Sequence, residues 1–169
     1  MVCSRCKMVV KSELEKLGLQ LLAVDLGEVE VTPISERQKS EIAEHLKGFG
    51  FELIDDKKSR LIDKIKTLII ELVHQQNAQL NTNLSDYLSK QLTQDYSSLS
   101  NLFSEVEDTT IEKYFINQKI EKVKELLLYN ELTLNEIAFQ MNYSSVAYLS
   151  NQFKKVTGFS PSHYKQLKD

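Results

Sequence analysis

The chain has 169 residues, enough for one ordinary domain or two small ones. It is 41% hydrophobic and 27% charged, a balance that suits a packed globular core. A formal net charge of −3 gives no global basic field, and the most apolar run, residues 61–73, is broken by Asp63, Lys64, Lys66 and Glu71, which excludes a membrane span.

Cys3 and Cys6 are the only cysteines, too few for a disulfide framework. A C-x-x-C pair suits a reducing compartment, where it binds metal or does redox work; otherwise the two are small packing residues at a helix start. No signal-peptide pattern precedes Cys3, and the expected location is cytoplasmic. Residues 7–17 then carry Met8, Val9, Leu14 and Leu17 among charges, with Gly18 as a helix stop. Residues 19–24 are an apolar run, Asp25-Leu26-Gly27 reads as a turn, and Val29 and Val31 alternate with Glu28 and Glu30 as in a strand. Ser35 and Gln38 have capping-box spacing, and Ile42, Ala43 and Leu46 form a helical stripe that stops at Gly48. Phe49, Phe51 and Leu53 alternate, which predicts a third strand.

The sequence Met1-Val2-Cys3-Ser4-Arg5-Cys6 fits M-x-C-x-x-C and resembles the metal loop of heavy-metal-associated domains. That resemblance implies a small ferredoxin-like α+β module over residues 1–56, here lacking its first strand unless the native chain starts upstream of Met1. It also implies Cys3 and Cys6 as ligands for Cu(I) or another soft ion, with the aromatic Phe51 near the last loop. Two thiolates so spaced can clamp such an ion, and a helix N-terminus with Arg5 and Lys7 favours the thiolate form.

Asp55-Asp56-Lys57-Lys58 marks a boundary, and an all-α domain is expected over residues 57–169. Leu61, Ile62, Ile65, Leu68, Ile69, Leu72 and Val73 recur at helical spacing. Six Gln or Asn residues between positions 75 and 83 then mark a loop. Beyond it the chain repeats at an offset of 50 residues. Leu84-Ser85-Asp86-Tyr87 answers to Leu134-Asn135-Glu136-Ile137, and Leu99-Ser100-Asn101-Leu102-Phe103 to Leu149-Ser150-Asn151-Gln152-Phe153. Each copy reads as helix, polar turn, helix, the layout of a helix-turn-helix. Residues 111–129, with Ile116, Ile120, Val123, Leu126 and Leu127 on one stripe, form a connecting helix able to hold two reading units about one turn of duplex apart.

Glu136-Ile137-Ala138, Tyr148-Leu149-Ser150, Phe153-Lys154-Lys155, Thr157-Gly158-Phe159-Ser160-Pro161 and Tyr164 closely resemble the signature of the AraC family of bacterial transcription regulators. The resemblance covers residues 61–167. It implies a double helix-turn-helix, a non-enzymatic DNA-binding regulator, and duplex DNA as partner, with RNA polymerase and a second copy of the chain as further candidates. By that resemblance Ser145, Val146, Ala147, Ser150 and Asn151 face the major groove, with Lys154 and Lys155 nearer the phosphates. Asn151 has the chemistry to read adenine through a bidentate pair.

The first copy departs from the pattern. Residues 80–110 hold one lysine, Lys90, against five acids, a net of −4, whereas residues 139–169 carry a net of +3. Phosphate repels a module of the first kind, so the second copy is expected to carry most of the affinity. Tyr96, Ser97 and Asn101 are the base-reading candidates in the first copy, and Lys113, Lys119, Lys122 and Lys124 on the connecting helix are candidate backbone contacts. The alternative for these four is a solvated face shared with Glu121 and Glu125. His45, His74 and His163 lie in unrelated patterns, His74 reading as a helix-surface residue, and no phosphate loop or acid–base pair suggests an enzyme. The alternative function is a metal- or thiol-binding module whose helical half contacts protein.

Overall fold

A computed structural model describes residues 4–54 and 56–168. They form two compact units that part between Asp56 and Lys57.

The first unit runs helix, strand, strand, helix: α1 (Ser4–Lys16), β1 (Leu21–Asp25), β2 (Glu28–Val31) and α2 (Glu36–Lys47). The strands pair antiparallel around Leu26-Gly27, where Gly27 takes φ 85°, with Val24 opposite Val29. Ser35 and Gln38 close the expected capping box: the Gln38 N–H donates to Ser35 Oγ (3.3 Å) and the Ser35 N–H to Gln38 Oε1 (2.9 Å).

Both helices end in the same motif. The Leu19 N–H donates to the Leu14 carbonyl (3.2 Å) and the Gly18 N–H to the Glu15 carbonyl (3.0 Å), with Gly18 at φ 77°. The Phe51 N–H donates to the Leu46 carbonyl and the Gly50 N–H to the Lys47 carbonyl, both at 3.0 Å, with Gly50 at φ 79°. These are Schellman caps, and each brings its following apolar residue back onto the helix. Helix α2 ends at Lys47 with Gly48 as its C-cap, as expected, and the left-handed residue of the motif follows at Gly50.

The same geometry corrects the expected third strand. The N–H groups of Phe49, Gly50 and Phe51 go to the last carbonyls of α2, which takes them out of any ladder, and Phe51 packs beside Leu46. The sheet among the described residues thus has two strands, short of a ferredoxin-like plan. Its core is Val10, Leu14, Ile42 and Leu46, with Leu19, Leu21, Val29, Ile34 and Phe51 around them. At about 1.5–3 kcal/mol per buried side chain this is a thin core, and a hairpin needs such a layer to persist.

The second unit contains α3 (Asp56–His74), α4 (Leu84–Leu92), α5 (Tyr96–Glu107), α6 (Ile111–Tyr129), α7 (Leu134–Gln140), α8 (Val146–Thr157) and α9 (Pro161–Lys168). The α3 stripe is buried through Ile62, Ile65, Ile69 and Val73, and it shares one core with Leu99, Phe103, Ile120, Val123, Ile137, Leu149 and Phe153. Lys66 meets Glu107 of α5 at 2.8 Å. His74 is half-buried with Nε2 3.0 Å from Gln118 Oε1, so it is a contact to α6 and not the surface residue its position suggests. The polar stretch after α3 is a loop, as expected, but a tethered one. Ala78 is buried, Gln79 Nε2 donates to the Gln140 carbonyl (3.0 Å), and Asn142 Nδ2 donates to the Ala78 carbonyl (3.4 Å). Among the described residues no helix is long and apolar enough to cross a membrane.

Candidate nucleic-acid interface

The 50-residue repeat is a repeat of hydrogen bonds and packing. Asn83 and Thr133 cap α4 and α7, accepting from the N–H groups of Asp86 (2.8 Å) and Glu136 (3.3 Å). Asp95 and Ser145 cap α5 and α8, accepting from Ser98 (3.2 Å) and Tyr148 (3.0 Å). Thr110 and Ser160 do the same for α6 and α9. Phe103 meets Tyr114 edge-on at 5.6 Å, and Phe153 meets Tyr164 edge-on at 5.4 Å. Each N-cap bond satisfies an end N–H for about 1 kcal/mol and fixes where its helix begins.

The turns differ. The first passes through left-handed Thr93 and one further residue to its cap Asp95; the second passes through left-handed Asn142, then Tyr143 and Ser144, to Ser145. Tyr143 sits in this second turn, nearly buried at 8% exposure. Its hydroxyl donates to Gln152 Oε1 at 2.7 Å, its ring lies 5.9 Å from that of Tyr148, and burial pushes its pKa upward.

Helix α8 buries Leu149 and Phe153 and turns a polar stripe outward. Ser145, Ala147, Asn151, Lys154 and Lys155 are exposed, and Ser150 is half-exposed beside them. Ala147, Asn151 and Lys154 follow at intervals of four and three, so they share one helix face. No ion pair holds Lys154 or Lys155 among the described residues. Val146 departs from the expected set: it packs partly against the core, because it lies three residues before Leu149. Tyr148 is the exposed residue that the groove-facing set omits, at 54% exposure. Its signal was phase alone, since positions 146, 149 and 153 are the buried ones and leave 148 outside.

In the first copy Ser97 and Asn101 are exposed on α5. Tyr96 is half-buried against the core and its hydroxyl donates to the Glu112 carboxylate, burial and that bond together raising its pKa. The four lysines of α6 also divide. Lys113 is exposed, while Lys122 pairs with Glu125 (3.2 Å) and Lys124 with Glu121 (2.6 Å). Lys119 folds over the ring of Tyr143, 3.8 Å from its centre, with Phe115 at 5.6 Å. Burial pushes its ammonium down to about 8.

Of the two candidate metal ligands, Cys3 lies outside the described residues. Cys6 is half-buried in the first turn of α1. Among the described residues no three His, Cys, Asp or Glu side chains converge as a metal site.

Residues 88–167 match a family model described as a helix-turn-helix domain. The xylose operon regulatory protein of Escherichia coli is 32% identical over 71 residues, 42% of this chain and 18% of that protein, so this chain matches only a small part of that relative's length. Among solved structures, the C-terminal domain of AraT, a response regulator from Geobacillus stearothermophilus, is similar with a TM-score of 0.56 and 25% identity, over 63% of this chain and 84% of that one. A transcriptional regulator from Chromobacterium violaceum, of the AraC-type DNA-binding class, shares the fold with a TM-score of 0.57 and 14% identity, over 66% of this chain and 95% of that one. Residues 88–167 of the helical unit thus match a helix-turn-helix domain, and the unit shares the fold of these solved structures.

Proposed function

We propose that this protein is a sequence-specific, DNA-binding transcription regulator in which α8 enters the major groove. The observation that carries this reading is the α8 stripe. Ala147, Asn151, Lys154 and Lys155 stand outward on a helix anchored by Leu149 and Phe153, combining an amide that has the chemistry to read a base with two lysines that hold no ion pair among the described residues. The regulators to which the helical unit is similar support the same role. Selection of bound sequences from random duplex, followed by salt titration on the winner, tests it. The expected result is one enriched site and an affinity that falls steeply with salt. No enrichment, or binding indifferent to salt, would favour a helical unit that contacts protein.

The N-terminal unit is proposed as the sensing half, with Cys3 and Cys6 taking one soft monovalent ion. Cys6 in the first turn of a helix supports this, because the helix dipole favours a thiolate there. Anaerobic Cu(I) titration under reducing conditions should give one equivalent bound, lost in Cys6→Ser. No uptake would leave the cysteines as packing residues.

A further inference from the structure

Two apolar anchors in line, Leu149 and Phe153, hold α8 against the core. Val146 packs partly beside them, and to this non-directional contact a hydrogen bond or ring contact adds direction. Tyr143 supplies such directional contacts to α8. Its hydroxyl bonds Gln152 at 2.7 Å and its ring meets Tyr148 at 5.9 Å, two residues four apart on one flank of α8. Tyr143 is itself held on its face by Lys119, which reaches it from α6. The neighbours Lys122 and Lys124 have carboxylate partners, whereas Lys119 has two ring faces and no carboxylate among the described residues. A half-buried ammonium over an aromatic face gains most from that contact when water is excluded.

The first copy has no counterpart. Fifty residues earlier, Thr93 stands where Tyr143 does and Leu102 where Gln152 does, so neither the ring nor its amide partner recurs.

We propose that Lys119, Tyr143 and Gln152 form a relay that fixes the roll of α8, making Lys119 a positioning residue for base reading by Asn151 rather than a phosphate contact. This rests on the reading of α8 as a groove-entering helix.

The test compares the full chain with Lys119→Met, Lys119→Arg and Tyr143→Phe, on the selected duplex and on random duplex, across salt. Lys119→Met should lower the specific-to-random affinity ratio by about fivefold or more, the low end of one bidentate discrimination, with the salt slope unchanged. Lys119→Arg, which keeps a cation over the ring, should restore it. Tyr143→Phe should cost a similar factor, with no further loss when combined with Lys119→Met. Equal losses on both duplexes and a slope shallower by about one unit would overturn the relay, because that is the signature of a lost phosphate contact. Backbone amide shifts of residues 146–152 without DNA give an independent arm: they should move in Lys119→Met and return in Lys119→Arg. Unmoved amides overturn the relay whatever the DNA results. A wild-type chain that binds no duplex overturns the DNA reading instead, and the amides then still decide whether Lys119 sets α8.

Discussion

Asp108 and Gly158 end α5 and α8, fifty residues apart, in the same left-handed backbone, at φ 54° and 84°. The conformation costs an L-residue about 1 kcal/mol and glycine almost nothing, although aspartate tolerates it better than most. Asp108→Gly should therefore stabilise the helical unit by about 0.5–1 kcal/mol, and Gly158→Ala should destabilise it by about 1 kcal/mol or more. A Cβ at Gly158 would meet nothing within 4 Å, so the second cost is one of backbone alone. Urea midpoints of the two variants check both signs. A destabilising Asp108→Gly would mean that the aspartate side chain holds the turn.

Local rules recovered much of this molecule. Ser35 and Gln38 are three apart and do form the capping box, because caps need only neighbours in sequence. The 50-residue repeat was legible because the same buried positions recur, Leu99 with Leu149 and Phe103 with Phe153. What failed was set by distant partners. Phe49, Phe51 and Leu53 alternate as a strand does, yet Gly50 turns Phe51 back onto Leu46. Lys119 and Tyr143 are 24 positions apart, Tyr96 and Glu112 are 16 apart, and no periodicity reports such meetings. Val146, given a groove-facing place by motif position, stands three residues before Leu149 and is half-buried against the same core.

Changing Lys154 and Lys155 together to Ala should weaken duplex binding by about tenfold at moderate salt and flatten the salt slope by about one to two units, as loss of two phosphate contacts requires. Both side chains are exposed and hold no structure together, so thermal stability should stay within about 0.5 kcal/mol of the parent. Fluorescence anisotropy over a salt series measures affinity and slope at once. An unchanged slope would mean that this end of α8 faces away from the duplex.

Glu13 joins the two helices of the first unit. Its carboxylate accepts from Lys16 (2.7 Å) and lies 2.9 Å from His45 Nε2, and these two partners, Lys16 foremost, hold its pKa below the ordinary glutamate value. A carboxyl depressed in the folded state adds stability that is complete above its unfolded pKa, about 4.5, and is lost as pH falls through the folded value. The first unit should accordingly weaken as pH drops below about 4.5, and Glu13→Gln should be less stable at pH 6 with a flatter profile in acid. Amide exchange at Val10, Leu14 and Ile42 reports this unit alone. A profile identical in the mutant would remove Glu13 from the account.

The net charge of the first copy overstates how acidic its outward face is. Asp95 is spent as the N-cap of α5, Glu107 pairs with Lys66 at 2.8 Å, Asp108 forms the left-handed cap, and Asp86 lies in the first turn of α4, where the helix dipole welcomes it. Glu105 is different. It is exposed and continues the stripe of Ser97 and Asn101 at intervals of four, as Lys155 continues that of Ala147 and Asn151. If α5 lies along the duplex, Glu105 stands near phosphate where the second copy offers a cation. Glu105→Lys should then raise affinity for any duplex by about fivefold to tenfold and steepen the salt slope by about one unit, with little change in the preferred sequence. Combining it with Lys154→Ala and Lys155→Ala should recover part of the affinity those changes remove. An affinity and slope untouched by Glu105→Lys would mean that α5 never approaches the backbone, and that the chain reads DNA with α8 alone.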